Sequence, residues 1–327
     1  MASSEIALAA PPRDGITAAQ FAPDSNNLLV SSWDKSVAVH DVQTNAQRCA
    51  YGHEGPVLAA CWALNGATCF SGGLDAQVAM YDVQSGRMAA IGRHDKPVRC
   101  LAFSRDHNVL VSGSWDATVR LFDPRQPNAQ VGQHQQQSKV FALALSRQRV
   151  VVGMNERRVW IWDLRNMNQP EQRRESSLKY QTRCVNCFID GTGYALSSTE
   201  GRVAMEYFDA APDVQAKKYA FKCHRQVNKG VDQVYPVNAI AFHPVHGTFA
   251  TGGGDGLVNL WDGQNKKRLC QFRKYPTSIA AMSFNYDGSM LAIASSYTWE
   301  EGERDHEPDA VYVRTISDLE AQPKMRR

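Results

Sequence analysis

Short segments in which apolar and polar residues alternate predict an all-β fold, and a recurring unit divides the 327 residues into repeats. Copies of this unit, clearest as SGSWDATVRLFD, occur at residues 31–41, 71–82, 112–123 and 251–262. The aspartate that closes the unit recurs in steps of 41, 41 and 40 residues, at Asp41, Asp82, Asp123 and Asp163. Repeats of about 40 to 45 residues with four strands each are typical of WD-type propeller blades. Seven repeats can be traced, so the sequence predicts a seven-bladed WD40 β-propeller.

The alternation gives the first blade four strands, at residues 16–21, 28–32, 37–41 and 47–51. The next two blades follow the same pattern, with inner strands at 57–62 and 98–103. In the fourth blade the strands are 140–145, 150–153 and 158–163, and the polar segment EQRRESS is expected to bridge to a weak outer strand. The fifth blade is expected at 183–188, 194–198, 203–208 and 219–223. The sixth is expected at 237–242, 249–252, 257–261 and 268–272.

The seventh blade offers only three strands, at residues 278–284, 290–295 and 310–316. We expect the apolar run at residues 6–9 to supply its fourth strand, because such closure removes free sheet edges. Residues 1–316 are thus expected to form a single propeller, and 317–327 a polar tail. Residues 298–309 carry six acidic side chains between two strands of this blade, and we expect a mobile surface loop there.

Two histidines precede inner strands, each with a serine and an aspartate at matching positions of the same repeat. The two sets are His53 with Ser71 and Asp75, and His94 with Ser112 and Asp116. Buried polar groups are stable when they satisfy one another, so we predict two hydrogen-bonded chains with a structural role.

The composition, 43% hydrophobic and 21% charged residues, is that of an ordinary globular protein. No apolar run approaches the length of a membrane span, and the eight cysteines lie mostly in strand patterns, which fits free thiols in a reducing compartment. The net charge is +3, yet residues 157–229 alone contain 13 basic and 8 acidic side chains. This regional excess suits an acidic peptide, a phosphopeptide or nucleic acid, or else it is a solvated face without a partner.

The sequence gives no support for a catalytic, metal-binding or cofactor-binding motif. The pair Cys184 and Cys187 lacks a second pair at ligand spacing, and the glycines at 252–256 lack the Lys-Ser/Thr of a phosphate-binding loop. We therefore expect neither an enzyme nor a metal or cofactor site.

Two tryptophans and four cations are the candidate binding residues. Trp33 and Trp115 occupy the turn between the second and third strands, where they are either lids over the core or exposed anchors, and we favour anchors. We expect four cations on the same face, namely Arg202 in the corresponding turn of the fifth blade and, from neighbouring segments, Arg183, Lys222 and Arg225. Such cations can hold phosphate or carboxylate groups. Alternatively they form salt bridges to Glu200, Glu206 or Asp209.

Several long sequence segments resemble those of one protein family. VWIWDLRNM, RRESSLKYQTR, EGRVAMEYF, KKYAFKCHR and YPVNAIAFH, with the repeat turns, closely resemble the WD40 proteins of the mitotic spindle checkpoint, the budding-uninhibited-by-benzimidazole type. The resemblance spans residues 13–314. It departs in the first dozen residues, in QVGQHQQQS and in the acidic loop.

The resemblance implies a non-enzymatic adaptor, in the nucleus and at kinetochores in mitosis, with no direct contact to nucleic acid or membrane. Such proteins bind a Glu-containing segment, the GLEBS motif, of checkpoint kinases and kinase-like proteins. They hold these partners on a kinetochore scaffold with phosphorylated Met-Glu-Leu-Thr repeats. Carried to matching positions, Trp33, Trp115 and Arg225 would contact the kinase segment. Arg183, Arg202 and Lys222 would receive the phosphothreonine repeat.

Two other functions remain open. The related RNA-export propeller binds the same kind of peptide from a nucleoporin, although the words RRESSLKYQTR and KKYAFKCHR favour the checkpoint protein. The segment 162–165 resembles the Trp-Asp-x-Arg box of cullin ubiquitin-ligase substrate receptors, a weak signal because Trp-Asp belongs to the repeat itself.

Overall fold

Four-stranded antiparallel sheets make up the blades in the computed structural model, which describes residues 4–324. The strands of blade one, from the inside outward, are β2 (Ile16–Phe21), β3 (Asn27–Ser32), β4 (Ser36–Asp41) and β5 (Ala46–Gly52). Blade two consists of β6 (Val57–Trp62), β7 (Thr68–Gly73), β8 (Gln77–Asp82) and β9 (Arg87–Arg93). Blade three consists of β10 (Val98–Ser104), β11 (Val109–Ser114), β12 (Thr118–Phe122) and β13 (Gln130–Gln135). The predicted strands of these blades are confirmed to within about one residue.

The next three blades repeat this order. Blade four consists of β14 (Val140–Ser146), β15 (Arg149–Met154), β16 (Arg158–Asp163) and β17 (Gln172–Glu175). Blade five consists of β18 (Thr182–Cys187), β19 (Gly193–Ser198), β20 (Arg202–Tyr207) and β21 (Tyr219–Lys222). Blade six consists of β24 (Val237–Phe242), β25 (Phe249–Gly253), β26 (Val258–Asp262) and β27 (Lys267–Gln271). The expectation for EQRRESS was wrong, since this segment contains the outer strand itself, held by pairing with β16 despite its polarity.

Blade seven combines both ends of the chain. It consists of β28 (Ile279–Phe284), β29 (Met290–Ser295), β30 (Ala310–Thr315) and the N-terminal strand β1 (Glu5–Ala7). The predicted closure is confirmed, because β1 pairs antiparallel with β30 in the register Ile6 to Val313.

Some elements were not predicted. A hairpin of β22 (Arg225–Asn228) and β23 (Val231–Val234) connects blades five and six. The helical turns are α1 (Pro212–Gln215), α2 (Asp318–Ala321) and a 3-10 turn at Asn155–Arg157. The turn α2 lies within the predicted tail, and its Ala321 is buried against blade six, where its carbonyl accepts a hydrogen bond from Thr248. The last three residues of that tail lie outside the described residues. No helix in residues 4–324 is long and apolar enough to cross a membrane.

The inner strands contact one another in cyclic order from β2 through β6, β10, β14, β18 and β24 to β28, and β28 returns to β2. The core therefore lies between neighbouring blades. For example, Val39 of blade one packs with Trp62 of blade two, while Leu8 and Val311 pack against Ile16 across the closure. We call the face with the turns between second and third strands the upper face, and the opposite one the lower face.

The predicted histidine chains are confirmed. Nδ1 of His94 donates to Asp116 at 2.8 Å, and its Nε2 lies 2.7 Å from Oγ of Ser112. His53 makes the same contacts with Asp75 and Ser71. A third chain, not predicted, joins His224 to Asp255 and Thr251.

Replacing Asp116 should destabilise the propeller in a pH-dependent manner. Burial alone would raise the pKa of Asp116, but hydrogen bonds from His94 and Thr118 lower it below its ordinary value. A lowered folded-state pKa means that the stabilisation is complete above about pH 4 and is lost as the pH falls further. We expect Asp116→Asn to lower the free energy of unfolding by about 2 kcal/mol at pH 7.

Urea unfolding at pH 7, 5 and 3 measures this effect. The difference between wild type and Asp116→Asn should narrow below about pH 4. The exposed Asp106→Asn in the same blade is the matched control and should change little. An equal loss at all three pH values would contradict the role of the charge.

Candidate functional site

A β-bulge in the inner strand of every blade shapes the upper end of the central channel. In each blade, the register between the first and second strands shifts next to the second residue of the inner strand. Six of the residues left unpaired by these shifts line one cavity of about 560 Å³, namely Thr17, Leu58, Arg99, Arg183, Asn238 and Ala280. Bulges re-aim side chains. Here they direct side chains from six different blades into one space, which we call the central mouth.

Aromatic side chains form the wall of the central mouth. Trp33 and Trp115 both line it and thus share one site. Trp33 is 43% exposed, whereas Trp115 is half-buried and its buried Nε1 has no hydrogen-bond partner within residues 4–324. Buried donors are normally satisfied, so this N–H is an exception among the described residues. Tyr297 and the 61% exposed Trp299 complete the wall.

Two arginines give the central mouth its positive charge. Nη2 and Nε of Arg183 donate to Oδ1 of Asn238 at 2.8 and 3.1 Å. Burial lowers the pKa of Arg183, and the charge of Arg99 adds to this effect. Because like charges in a partly dehydrated space repel, an anionic ligand between them would be stabilised.

A row of cations leaves the central mouth along the upper edge of blade five. The residues Thr182, Ser198, Arg202 and Lys222 are successive cross-strand partners. Arg183 follows Thr182 at the inner end of this row, and Lys222 is exposed at its outer end. Strands lie about 4.8 Å apart, so the row spans roughly 14 Å. We call Arg183, Arg202 and Lys222 the blade-five rim.

Glu200 forms some of the salt bridges that were expected as the alternative to ligand binding. Its carboxylate lies 3.4 Å from Nε of Arg202 and 3.5 Å from Nη2 of Arg225, which also donates to the Glu200 carbonyl at 2.9 Å. Glu206 instead pairs with Lys218 and Arg174. Salt bridges thus engage Arg202 and Arg225. Among the described residues, no carboxylate lies within ion-pair distance of Arg183 or Lys222.

The positions of the predicted residues in the structure do not follow the two ligand groups to which the resemblance assigns them. Arg183, predicted with the phosphopeptide group, lines the same mouth as Trp33 and Trp115. Arg225, predicted with the tryptophans, begins the hairpin beside Glu200. Arg202 is the first residue of β20 and not part of the preceding turn.

Sequence reasoning missed Arg99, Asn238 and the aromatic pair Tyr297 and Trp299. The sequence does contain a signal for Arg99 and Asn238. The second residue of each inner strand differs from blade to blade, whereas the residue before it is β-branched and the residue after it is small, as in Val98-Arg99-Cys100.

A second, larger cavity of about 1390 Å³ lies on the lower face between blades five and six. Its floor is aromatic, with Phe188 packed edge-on against Tyr207 and Phe242, and it contains none of the predicted binding residues. Throughout the described chain, no group of three or more His, Cys, Asp or Glu side chains is arranged to hold a metal ion.

Comparison with known proteins supports this architecture. The model of the WD domain, G-beta repeat, matches residues 8–41, 45–82, 87–123 and 219–262. The solved structure of the RRP9 WD40 repeats superposes with a TM-score of 0.82 at 19% identity, covering 96% of this chain and 97% of that one, which shows a common fold.

Curated relatives are similar over nearly the whole chain. Mitotic checkpoint protein BUB3.1 of Arabidopsis thaliana is 54% identical, spanning 97% of this chain and 94% of the relative. Mitotic checkpoint protein bub3 of Dictyostelium discoideum is 49% identical, over 96% and 95%. Protein RAE1 of Arabidopsis thaliana is 39% identical, over 96% and 91%. The chain, a WD40 propeller of seven blades, therefore belongs to the Bub3 family of mitotic checkpoint proteins.

Proposed function

We propose that this propeller is a non-enzymatic adaptor that acts at kinetochores in mitosis and resides in the nucleus. It binds a GLEBS-type segment of checkpoint kinases and kinase-like proteins in the central mouth, and phosphorylated Met-Glu-Leu-Thr repeats of a kinetochore scaffold along the blade-five rim. The observation that carries this proposal is the junction at Arg183. This residue lies both in the aromatic mouth and at the inner end of the cation row.

A Glu-containing segment suits the central mouth. The indoles of Trp33 and Trp115 offer apolar contact, while Arg99 and Arg183 attract carboxylates. Arg225 lies beside Glu200, outside the mouth, and would contact the part of the same segment that extends beyond the mouth.

A phosphothreonine suits the blade-five rim. A phosphate group carries a charge close to −2 and three acceptor oxygens, and it pairs best with clustered cations. Lys222 supplies an exposed ammonium opposite Arg202, and Arg183 supplies a guanidinium at the inner end.

Reversal of the rim charges tests the phosphopeptide site. A phosphorylated Met-Glu-Leu-Thr peptide should bind the wild type, and its unphosphorylated form should not. Arg202→Glu with Lys222→Glu should abolish binding, a loss on the order of 100-fold or more, because attraction is replaced by repulsion. Fluorescence anisotropy at low salt measures both affinities.

Because Arg202 also pairs with Glu200, the neutral pair Arg202→Gln and Lys222→Gln serves as a milder variant. It should weaken binding at an unchanged melting temperature. Exchange of Lys229, a cation of the neighbouring hairpin, for Gln is the control. Full affinity of the double reversal would refute the rim as the phosphate site.

RNA export through a nucleoporin is the second candidate, since mRNA export factor GLE2 of Chaetomium thermophilum is also similar, at the lower identity of 35%. Capture of partners from mitotic extract separates the two functions. Recovery of checkpoint kinases with a spindle-arrest defect on depletion supports the proposal. Recovery of nucleoporins with loss of poly-adenylated RNA export contradicts it.

The cullin alternative receives no support from the geometry of its four-residue signal. Arg165 is bound to Asp163 of its own turn, and Arg125 of blade three is bound to Asp123 in the same way. An Asp-x-Arg pair is therefore a recurrent local turn contact in this chain.

A further inference from the structure

The acidic segment at residues 298–309 begins inside the central mouth. Thr298 and Trp299 line the cavity. Oγ of Ser278 donates to Oε2 of Glu300 at 3.1 Å, and the hydroxyl of Thr298 donates to the other carboxylate oxygen. Glu300 is thus held against the wall of blade seven.

Hydrogen bonds connect this carboxylate to Arg183. Asn238 accepts from Arg183 through Oδ1 and donates through Nδ2 to Thr298 at 3.4 Å. The negative charge of Glu300 also acts on Arg183, since it raises the pKa of the guanidinium against the lowering by burial. A carboxylate of the chain itself therefore partly neutralises the mouth.

The turn of blade six makes room for Glu300. Gly254 takes the turn position held by Trp33 and Trp115 in blades one and three. A Cβ added at Gly254 would lie 2.8 Å from Oε1 of Glu300. The absent side chain at this position thus leaves the space in which the carboxylate sits.

We propose that residues 298–309 form an autoinhibitory strap, in which Glu300 is held at the edge of the free mouth, offsets the positive charge of Arg183 there and is displaced when an acidic peptide binds between Arg99 and Arg183. This inference rests on the proposed function for the identity of the ligand, but not for the strap itself. The acidic residues that follow Glu300 keep the released strap soluble and repel it from the bound acidic peptide.

Removal of one charge tests the strap. Glu300→Gln keeps a hydrogen-bond acceptor for Ser278 and removes the competing carboxylate. We expect it to bind acidic peptides roughly three- to ten-fold more tightly than the wild type, with the gain shrinking at 0.5 M salt because ions screen the charges. Glu303→Gln removes the same charge from an exposed position of the strap and is the matched control.

The hydrogen bond from Ser278 to Glu300 can be tested without a change of charge. Ser278→Ala should also increase affinity, and it should speed backbone hydrogen exchange at residues 298–303 in the free protein. Equal affinities of Glu300→Gln and Glu303→Gln would show a general charge effect and overturn the strap. Weaker binding by Glu300→Gln would also overturn it, because Glu300 would then be part of the ligand contacts.

Two probes separate the strap from the proposed function. One is a tetraglutamate peptide, and the other is a GLEBS-type kinase segment. If Glu300→Gln gains affinity for tetraglutamate while no form of the protein binds the kinase segment, the strap stands and the proposed function fails. If the kinase segment binds wild type and Glu300→Gln equally, the strap fails and the proposed function stands.

Discussion

Loss of both turn tryptophans should weaken binding of the kinase segment by about 3 kcal/mol, on the order of 100-fold. Trp33→Ala with Trp115→Ala removes the two indoles that line one side of the central mouth. The physical cause of the loss is the apolar area of the two indoles that is no longer covered on binding. Isothermal titration with a GLEBS-type peptide measures it, and the two single variants are not expected to add up.

Tyr286→Ala is the matched control for this experiment. Tyr286 is 51% exposed in the turn between β28 and β29, on the lower face. Its removal should leave the affinity unchanged. If the double tryptophan variant retains the wild-type affinity with an intact fold, the segment does not bind in the central mouth.

Removal of residues 1–10 should lower the melting temperature by about 10 °C, because it removes the outer strand of blade seven and the apolar contacts that join this blade to blade one. Leu8 is buried at 4% exposure between blades seven and one, and its amide donates to Val311 at 2.9 Å. Glu5 accepts hydrogen bonds from Tyr275 at 2.6 Å and from Arg273. Burial of one leucine contributes about 2 kcal/mol and each strand hydrogen bond about 1 kcal/mol, so a loss of roughly 5 kcal/mol is expected.

Removal of residues 1–3 alone, which precede β1, is the control and should leave the melting temperature unchanged. Leu8→Ala isolates the apolar contribution and should cost about 2 to 3 kcal/mol. An unchanged melting temperature for the longer deletion would show that the ring does not need β1 for closure.

Only some residues of the candidate site were predictable from the sequence, and their grouping was not. Trp33, Trp115 and the four cations can be found from turn position and charge. That Arg183 joins the tryptophans follows from a bulge, a shift of register that the alternation of residues does not encode. That Glu200 binds Arg202 and Arg225 depends on side-chain directions within one blade edge.

The all-β class, the seven blades, nearly all strand limits, the closure by the N-terminal strand and the two histidine chains could be predicted from the sequence alone. These features rest on local periodicity and on residues that recur at fixed spacing, so they are readable along the chain. Which side chains meet in the central mouth depends instead on tertiary contacts. Ile16 donates to Ser296 at 2.8 Å across 280 positions of sequence, and Glu300 approaches Arg183 through Asn238. Such contacts arise from ring closure and from bulges, which bring distant blades to one axis.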